Sequence, residues 1–423
     1  MKRFSLIALL FLPLLAFSQD NYKTLFIGNS YTYVNDLPTL LKNLTLAGGD
    51  TLLTDASTPG GYTLQGHSTN QTTLNLIAAR DWDFVVMQDQ SQRPSFPQSQ
   101  VQNQVYPYAT ILNDSVKSND SCSVTVFFMT WGRKYGDAMN CGVWPPVCTF
   151  EGMSAELRRS YLNMANQNNA LVAPVGPAWW EAIKRDSTIE LYSPDESHPA
   201  YTGSYLAACV FYATMYRESP NGLNYYGSLD TTTATFLQQV AHDVVFDSLT
   251  QWRIGEDDAQ ANFAFTTNTS GEATFTNTSA NASSYLWDFG DGNTDSVANP
   301  IHNYSIDGAY IVTLIANNGC TSDTMIDTLQ LIIVGVSNPD DVQLQVFPNP
   351  SNGVFTIQGD WVGDMKLDLQ VFDLAGKLVF NSETQASQNK VNTQVDLRSL
   401  PKGVYFLKLG NDEQNVHRRI IIA

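Results

Sequence analysis

The pattern of apolar and polar residues changes near residue 257 of this 423-residue chain. Before that point, short apolar runs typical of strands alternate with stretches whose apolar residues recur at helical spacing. The predicted strands lie at residues 23–28, 51–56, 84–88, 123–130 and 170–175, and the predicted helices at residues 36–47, 101–117, 154–169 and 202–216. This alternation predicts a parallel sheet that is covered by helices on both faces.

After residue 257 the helical signal disappears, and Thr, Asn, Ser and Val dominate between closely spaced turns. Such a pattern is typical of β-sandwich modules. We expect two of them, at residues 262–334 and from residue 342 to the C-terminus. The segment 336–341, which contains Ser-Asn-Pro-Asp-Asp, is the expected linker between them.

The first residues predict a secretory signal peptide. Lys2 and Arg3 form a positive n-region, and the apolar run at residues 6–16 is too short to span a bilayer comfortably. Small residues at Ala16 and Ser18 place the expected cleavage before Gln19, so residues 1–18 are the predicted signal peptide.

The composition is that of a globular protein, with 43% hydrophobic and 15% charged residues. The formal net charge of -18 argues against nucleic acid or an anionic membrane as the main partner, because each would repel the protein. Export makes disulfides possible. We expect Cys141 and Cys148 to be bridged, whereas Cys122 and Cys209 form either a second pair or two buried thiols, with buried thiols preferred.

Candidate chemistry begins with Ser30, which follows an apolar strand and a glycine. Ligands of open α/β sheets bind at the carboxyl ends of strands, where such a serine could act as a nucleophile. A cap or turn residue is the ordinary alternative at this kind of position.

A second segment, Ser193-Pro-Asp-Glu-Ser-His-Pro, places Asp195 three residues before His198 in a loop bounded by prolines. A serine hydroxyl needs a base to take its proton, and a carboxylate can fix the tautomer of an imidazole base. On its own this pair could equally be a capped turn beside a surface histidine.

Two further segments offer hydrogen-bond donors for an oxyanion. A glycine turn with Gly60 and Gly61 follows the second strand, and its amides have no side chain in the way. The third strand runs into a cluster of amide side chains, Gln88, Gln90 and Gln92. Amide N–H groups are suitable oxyanion donors.

The four segments, in this order along residues 24–220, resemble the SGNH (GDSL-like) hydrolase superfamily. Gly28-Asn-Ser30 is similar to its Gly-Asp-Ser block, with asparagine in place of aspartate, and Asp195-Glu-Ser-His198-Pro fits its final block fully. The resemblance implies a flavodoxin-like three-layer α/β/α sandwich with a parallel sheet. It also implies a Ser30–His198–Asp195 triad that needs no cofactor or metal.

The superfamily's third block, Gly-x-Asn-Asp, is absent. An ungapped match puts Gln92 at the asparagine position. The run Gln88-Asp-Gln-Ser is also similar to the Gln-Gly-Glu-Ser of carbohydrate acetylesterases and to a bacterial subgroup with Gln-[Asp/Glu]-x-Ser. The implied oxyanion donors are therefore the amides of Ser30 and Gly61 with the side chain of Gln88, or alternatively of Gln92.

Two aromatic side chains are further candidates for substrate contact. Trp131 lies at a predicted strand end and could stack on a sugar ring, and His67 follows the glycine turn. Packing in the interior is an equally good interpretation for Trp131, and a structural role is the preferred one for His67.

The two later modules have their own resemblances. Tyr285-Leu-Trp-Asp-Phe-Gly-Asp-Gly, with the segments that follow it to residue 334, resembles a PKD-type β-sandwich. Val346-Phe-Pro-Asn-Pro, Val371-Phe-Asp-Leu-Ala-Gly-Lys and Leu400-Pro-Lys-Gly-Val-Tyr resemble the C-terminal sorting domain of the type IX secretion system of Bacteroidota. That likeness implies contact with the secretion machinery and export across both membranes, followed by release or surface attachment.

The expected organisation is a signal peptide at residues 1–18, a hydrolase domain at 19–256, a PKD-type domain at 257–335, and a linker with the sorting domain at 336–423. The expected function is that of a secreted serine esterase, with O-acetyl groups on glycans as candidate substrates. Two alternatives remain at this point: a catalytically inactive glycan-binding or adhesion protein, and an extracellular lipase, which would need a sizeable apolar patch near its pocket.

Overall fold

A computed structural model describes residues 20–332, 344–361, 363–411 and 415–423. The predicted signal peptide and the predicted linker at 336–341 lie outside the described residues.

From residue 20 to residue 260, the described chain contains five strands and ten α-helices. The strands are β1 (Asn21–Ile27), β2 (Thr51–Ser57), β3 (Phe84–Met87), β4 (Val124–Phe128) and β5 (Leu171–Ala173). The helices are α1 (Ser30–Tyr33), α2 (Leu37–Gly48), α3 (Leu64–His67), α4 (Gln71–Ile77), α5 (Gln98–Gln104), α6 (Tyr106–Asn119), α7 (Phe150–Asn168), α8 (Val175–Arg185), α9 (Tyr201–Tyr216) and α10 (Thr231–Phe246).

The five strands form one parallel sheet in the order β2-β1-β3-β4-β5. Helix α9 packs against both α2 and α10 in one layer, and α6 packs against both α4 and α7 in the other. This is the predicted three-layer sandwich with the flavodoxin-like strand order, so the expected fold class is confirmed. Ile27 lies opposite Ser57 and Met87, so the carboxyl ends of β2, β1 and β3 are level.

Helix α2 shows how the sequence pattern determines the local structure. The Asp36 carboxylate accepts a hydrogen bond from the N–H of Thr39, which caps the first turn. Gly49 ends the helix in the left-handed conformation. The predicted apolar stripe is buried, and its members are Leu37, Leu40, Leu41 and Leu44.

The helix predicted at residues 101–117 is two helices, α5 and α6, which meet at Val105. Pro107 causes the break, because it cannot donate the backbone hydrogen bond that a continuous helix would need. Helices α8 and α10 were not predicted. The start of α10 is rich in β-branched threonine, which obscures the signal of its Asp230 cap and its later apolar residues.

The second part of the chain is all-β. Its strands are β6 (Phe263–Thr267), β7 (Glu272–Asn277), β8 (Ser284–Asp288), β9 (Thr294–Asp295), β10 (Ile301–Asn303), β11 (Gly308–Asn317) and β12 (Ser322–Leu331). They form the sheets β10-β7-β6 and β12-β11-β8-β9. Phe263, Phe275, Trp287 and Leu314 come from both sheets and share one buried core, as a sandwich requires.

A second sandwich ends the chain. Its strands are β13 (Gln345–Phe347), β14 (Val354–Asp360), β15 (Met365–Phe372), β16 (Leu378–Ala386), β17 (Lys390–Asp396), β18 (Gly403–Gly410) and β19 (Asn415–Ile422). The sheets β13-β14-β17 and β16-β15-β18-β19 enclose their own core, which includes Phe355, Trp361 and Leu407. Two all-β sandwiches therefore follow the α/β domain, as predicted.

The disulfides agree only in part with expectation. Cys141 is bonded to Cys148, and Cys209 is a buried thiol, as the sequence suggested. Cys122, however, is bonded to Cys320 and is not a buried thiol. It lies in the turn before β4 and not inside the strand, so it avoids the core. Among the described residues, no helix is both long and apolar enough to cross a membrane.

Candidate active site

The turn that carries Ser30 is fixed by Gln88. Strand β1 ends at Ile27, and Ser30 begins the short helix α1. The Gln88 side-chain oxygen accepts hydrogen bonds from the backbone N–H of Asn29 (2.9 Å) and the hydroxyl of Thr32 (3.2 Å). A Cβ at Gly28 would lie 2.7 Å from that same oxygen, so any other residue here would push the Gln88 side chain out of these hydrogen bonds.

Ser30, His198 and Asp195 form a connected set of side chains. The Ser30 Oγ lies 2.8 Å from Nε2 of His198, and Nδ1 of the same ring is hydrogen-bonded to Oδ2 of Asp195. Because the Asp195 carboxylate can only accept, Nδ1 carries the proton, and Nε2 is left to accept the proton of the serine hydroxyl. The His198 side chain is 34% exposed, so the cluster is open to a substrate.

The Asp195–His198 loop is held from several directions. The indole of Trp131 donates to the carbonyl of Ser197 (3.1 Å), and the Tyr31 hydroxyl contacts the Ser197 hydroxyl (2.6 Å). The amide side chain of Asn35, on the segment that follows α1, donates to the carbonyl of Pro199 (3.1 Å). The segments that carry the nucleophile and the base are therefore tied directly to each other.

The charge on Asp195 is stabilised locally. Its partial burial opposes ionisation, but a hydrogen bond from the His198 ring and the backbone N–H groups of His198 and Ser197 outweigh burial. The pKa of Asp195 is therefore lowered from its ordinary value. The carboxylate is ionised at neutral pH and can stabilise a positive charge on the imidazole.

Two backbone amides of the pocket have no hydrogen-bond partner among the described residues. Ser30 and Gly61 both line the pocket, and neither amide N–H has a hydrogen-bond partner within the described part of the chain. Gly61 has φ +68°, which glycine adopts without strain, and a Cβ there would meet no other atom within 4 Å. Both amides are thus available as donors.

The glutamine assignments require correction. Gln88 is fully buried, and its amide nitrogen donates to the carbonyl of Asp89, while Gln92 donates to the buried carboxylate of Asp137 (2.7 Å). Both amides are engaged inside the protein, and neither residue lines the pocket. Gln90 does line it, and its nitrogen makes only 3.3 Å contacts to Ser91 and Gln92.

Trp131 and His67 are both fully buried, so neither is placed to contact substrate, and the structure agrees with packing for Trp131 and with the preferred structural role for His67. Trp131 lies stacked between the rings of Tyr31 and Trp179. The Nε2 of His67 donates to the carbonyl of Gly28 (2.8 Å), two residues before Ser30. Burial lowers the pKa of His67, so the ring is neutral and acts as a structural support.

A pocket of about 220 Å³ lies over Ser30 and His198. The other residues that line it are Asn29, Tyr31, Gly61, Gln90, Ser91, Arg133 and Ser197. Ser91 and Arg133 were not predicted as site residues, and Gln90 was named in the amide cluster but not chosen as the donor. The sequence signal of Ser91 and Arg133 is position, because each follows the carboxyl end of a central strand. Within the described ranges, no group of three or more His, Cys, Asp or Glu side chains could hold a metal ion.

Asp89, beside the pocket residue Gln90, is a fully buried carboxylate. Its Oδ1 accepts hydrogen bonds from the N–H groups of Leu64 (3.1 Å) and Gln90 (2.7 Å). Its Oδ2 has no partner among the described residues. Burial raises the pKa of Asp89 to about 6, against the opposing effects of the Arg93 charge and these N–H groups.

Because this pKa is higher in the folded protein than in the unfolded chain, stability falls as pH rises from about 4 to about 6. Asp89→Asn keeps an acceptor at Oδ1 and cannot ionise. We expect its free energy of unfolding above pH 7 to exceed that of the wild type by up to about 3 kcal/mol, and the difference to vanish near pH 4. Urea unfolding at several pH values measures this, and a difference independent of pH would contradict the assignment.

Two family models match the all-β part of the chain. A PKD domain model matches residues 255–333, and a secretion system C-terminal sorting domain model matches residues 345–423. Both resemblances drawn from the sequence are thereby confirmed. The sorting domain indicates export, with release or attachment at the cell surface, and makes the secretion machinery a partner of this chain.

Solved structures similar to parts of the chain include a DUF4886 family protein from Bacteroides uniformis. It is 18% identical, with TM-score 0.47, and the match covers 54% of this chain and 95% of that chain. A protein from Slackia heliotrinireducens proposed as an SGNH hydrolase is 27% identical, with TM-score 0.38, covering 46% and 100% of the two chains. The PKD1 domain of the Vibrio cholerae metalloprotease PrtV is 34% identical, with TM-score 0.17, covering 18% and 98%.

A curated relative is collagenase ColQ1 of Bacillus cereus (strain Q1), which is 32% identical over 95 residues, or 22% of this chain. The match spans 10% of the length of that relative. The class of protein is defined by its parts: an α/β domain with a five-stranded parallel sheet is joined to a PKD domain and a secretion system C-terminal sorting domain.

Proposed function

We propose that this protein is an exported serine esterase that hydrolyses carboxylic esters with short acyl groups. The observation that carries the proposal is the 2.8 Å contact between the Ser30 hydroxyl and Nε2 of His198, whose other nitrogen is bonded to Asp195. A hydroxyl paired with an oriented imidazole is the arrangement that activates a serine for attack on a carbonyl.

In the first step, the Ser30 oxygen forms a bond to the ester carbonyl carbon while its proton passes to Nε2 of His198. The negative charge of the tetrahedral intermediate is stabilised by the N–H groups of Ser30 and Gly61. We assign the third donor to the side-chain amide of Gln90, because it lines the pocket whereas Gln88 and Gln92 are engaged elsewhere.

The intermediate collapses when the bond to the alcohol oxygen breaks and His198 returns its proton to that oxygen. The alcohol leaves, and the acyl group stays on Ser30. A water molecule then attacks the acyl carbon, giving its proton to His198, and the carboxylic acid is released as Ser30 recovers its proton. The Asp195 carboxylate stabilises the imidazolium in both halves of the reaction.

The size and polarity of the pocket support a short acyl group. Its volume of about 220 Å³ is small, and its lining consists of polar or charged side chains, backbone and the ring of Tyr31. No aliphatic side chain belongs to this lining in the described part of the chain. A lipase would need an apolar surface here to hold a long chain, so acetyl esters, including O-acetyl groups of glycans, are the better match.

The alternative of an inactive binding protein has less support. Loss of catalysis would be expected to leave the hydroxyl and the imidazole unpaired. Here the Ser30 hydroxyl and the His198 imidazole are in contact, and the free amides of Ser30 and Gly61 belong to the same pocket. A protein that only binds its ligand needs neither feature.

A series of aryl esters with lengthening acyl chains tests the substrate class. We expect kcat/KM to be highest for the acetate and to fall by about 10-fold or more toward the octanoate, because each methylene that the pocket cannot accept costs binding. Ser30→Ala provides the background at each chain length. Values of kcat/KM that rise toward the octanoate would instead identify a lipase.

A further inference from the structure

The pocket contains one permanently charged side chain among the described residues that line it, and this is Arg133. It follows strand β4 and lines the same pocket as Ser30 and His198. Its side chain is 27% exposed, so the guanidinium is neither buried in the core nor free in bulk water.

The nearest acidic partner of Arg133 is already bonded to other groups. The Asp137 carboxylate accepts hydrogen bonds from Asn140 (2.6 Å), Gln92 (2.7 Å) and the backbone N–H of Met139 (3.2 Å). The Arg133 Nη1 reaches it only at 3.5 Å. Asp137 therefore makes one long contact with the guanidinium, and the other N–H donors of Arg133 are not used by this carboxylate.

Two further observations concern the guanidinium of Arg133. The Nε of Arg133 is buried and has no hydrogen-bond partner among the described residues, which is costly for a charged donor. Burial raises the pKa of Tyr31, and hydrogen bonds from Ser197 and Ser91 and the positive charge of Arg133 oppose that rise. Arg133 and Tyr31 line the same pocket, and Tyr31 follows the nucleophile Ser30 directly in the chain.

We propose that Arg133 binds a carboxylate on the ester substrate, so that the enzyme selects esters carrying a negative charge close to the scissile bond. The inference rests on the proposed esterase function and adds a specificity-determining residue to it. A planar guanidinium can hold a carboxylate through two parallel hydrogen bonds. Because the protein has a formal net charge of -18, such a local cation would offset the repulsion that an anionic substrate meets.

The carboxylate could belong to either side of the ester. It could lie on the alcohol, as in an acetylated uronic acid, or on the acyl group, as in the hemiester of a dicarboxylic acid. Two matched pairs of substrates separate these sources. The first pair is an O-acetylated methyl glucuronoside and the corresponding acetylated methyl glucoside. The second is an aryl hemiester of adipic acid and the aryl ester of hexanoic acid.

The measured quantity is the ratio of kcat/KM for the anionic and neutral members of each pair, after subtraction of the Ser30→Ala background. We expect the wild type to favour the anionic member of one pair by about 10- to 100-fold, as a charge-assisted pair of hydrogen bonds allows. Arg133→Met should bring that ratio close to one. Arg133→Lys, which keeps the charge but not the fork, should give an intermediate ratio.

Arg80→Met is the matched control, because Arg80 is an exposed arginine that lies over the ring of Trp82 before the amino end of β3. It removes the same charge away from the pocket and should keep the wild-type ratio.

The inference is overturned if the wild type favours neither anionic ester. It is also overturned if Arg133→Met lowers kcat/KM equally for the anionic and neutral members of a pair, as loss of an oxyanion donor would. Failure of the esterase proposal looks different, because no neutral ester would then be hydrolysed above the background.

Discussion

Ser30→Ala and His198→Ala are each expected to lower kcat/KM for an aryl acetate by about 10⁴-fold or more. Removing the Ser30 oxygen deletes the atom that forms the covalent bond. Removing the His198 imidazole instead leaves the Ser30 oxygen without a proton acceptor, since Nε2 of this ring is the nitrogen in contact with it. Steady-state kinetics with purified, folded variants measure both losses.

The double variant gives a sharper result than either single one. Because the two residues act as one unit, Ser30→Ala with His198→Ala should be little slower than either change alone. Ser115→Ala is a suitable control, since the hydroxyl of that serine donates to the carbonyl of Ile111 on helix α6 and lies outside the pocket. Multiplicative losses in the double variant would mean that the serine and the histidine act independently.

Asp195→Asn is expected to lower kcat by about 10²- to 10⁴-fold while the loop keeps its structure. The Asp195 Oδ1 accepts from the N–H groups of Ser197 (3.2 Å) and His198 (2.9 Å), and an asparagine oxygen can do the same. The amide cannot both keep those contacts and accept the proton of the imidazole Nδ1. The ring then loses its oriented tautomer and the stabilisation of its charge.

Asp186→Asn is the matched control for this change. Asp186 is also a loop carboxylate, and it accepts hydrogen bonds from the N–H and hydroxyl of Thr188. It lies after helix α8 and does not line the pocket. Its variant should retain wild-type kcat. An Asp195→Asn variant as active as the control would show that His198 needs no carboxylate partner.

The sequence was sufficient to predict the sheet, because its strands are short apolar runs that alternate with helical stretches. The position of Ser30 after β1 indicated the carboxyl edge of the sheet, whereas the joining of Ser30, Asp195 and His198 in one site was implied by the resemblance to the SGNH hydrolase superfamily. The structure brings the three side chains into contact, and their catalytic roles remain a proposal.

The glutamine donor could not be predicted, because it depends on which amides are already bonded inside the protein. Gln88, Gln90 and Gln92 follow one strand at a spacing of two, and their immediate sequence does not distinguish them. The side-chain amide of Gln92 is engaged because it donates to Asp137, which lies 45 residues further along the chain. Such a distant partner leaves no local signal.

Arg133 was missed for a related reason. A single arginine after a strand is most often a surface residue, and only the hydrogen bonds of Asp137 to other donors show that its guanidinium is unused. The Cys122–Cys320 bond joins residues 198 positions apart. Sequence spacing could predict the Cys141–Cys148 bond, which closes a short loop, but it could not predict this one.

Covalent labelling with a fluorophosphonate tests the central claim most directly, because the reagent reacts with a serine only when a neighbouring base activates it. We expect the intact mass of the protein to increase by one adduct, located by peptide mapping to Ser30. Ser30→Ala should remain unlabelled, and His198→Ala should react far more slowly. An unlabelled wild-type protein, or an adduct on a different serine, would contradict the claim that Ser30 is an activated nucleophile.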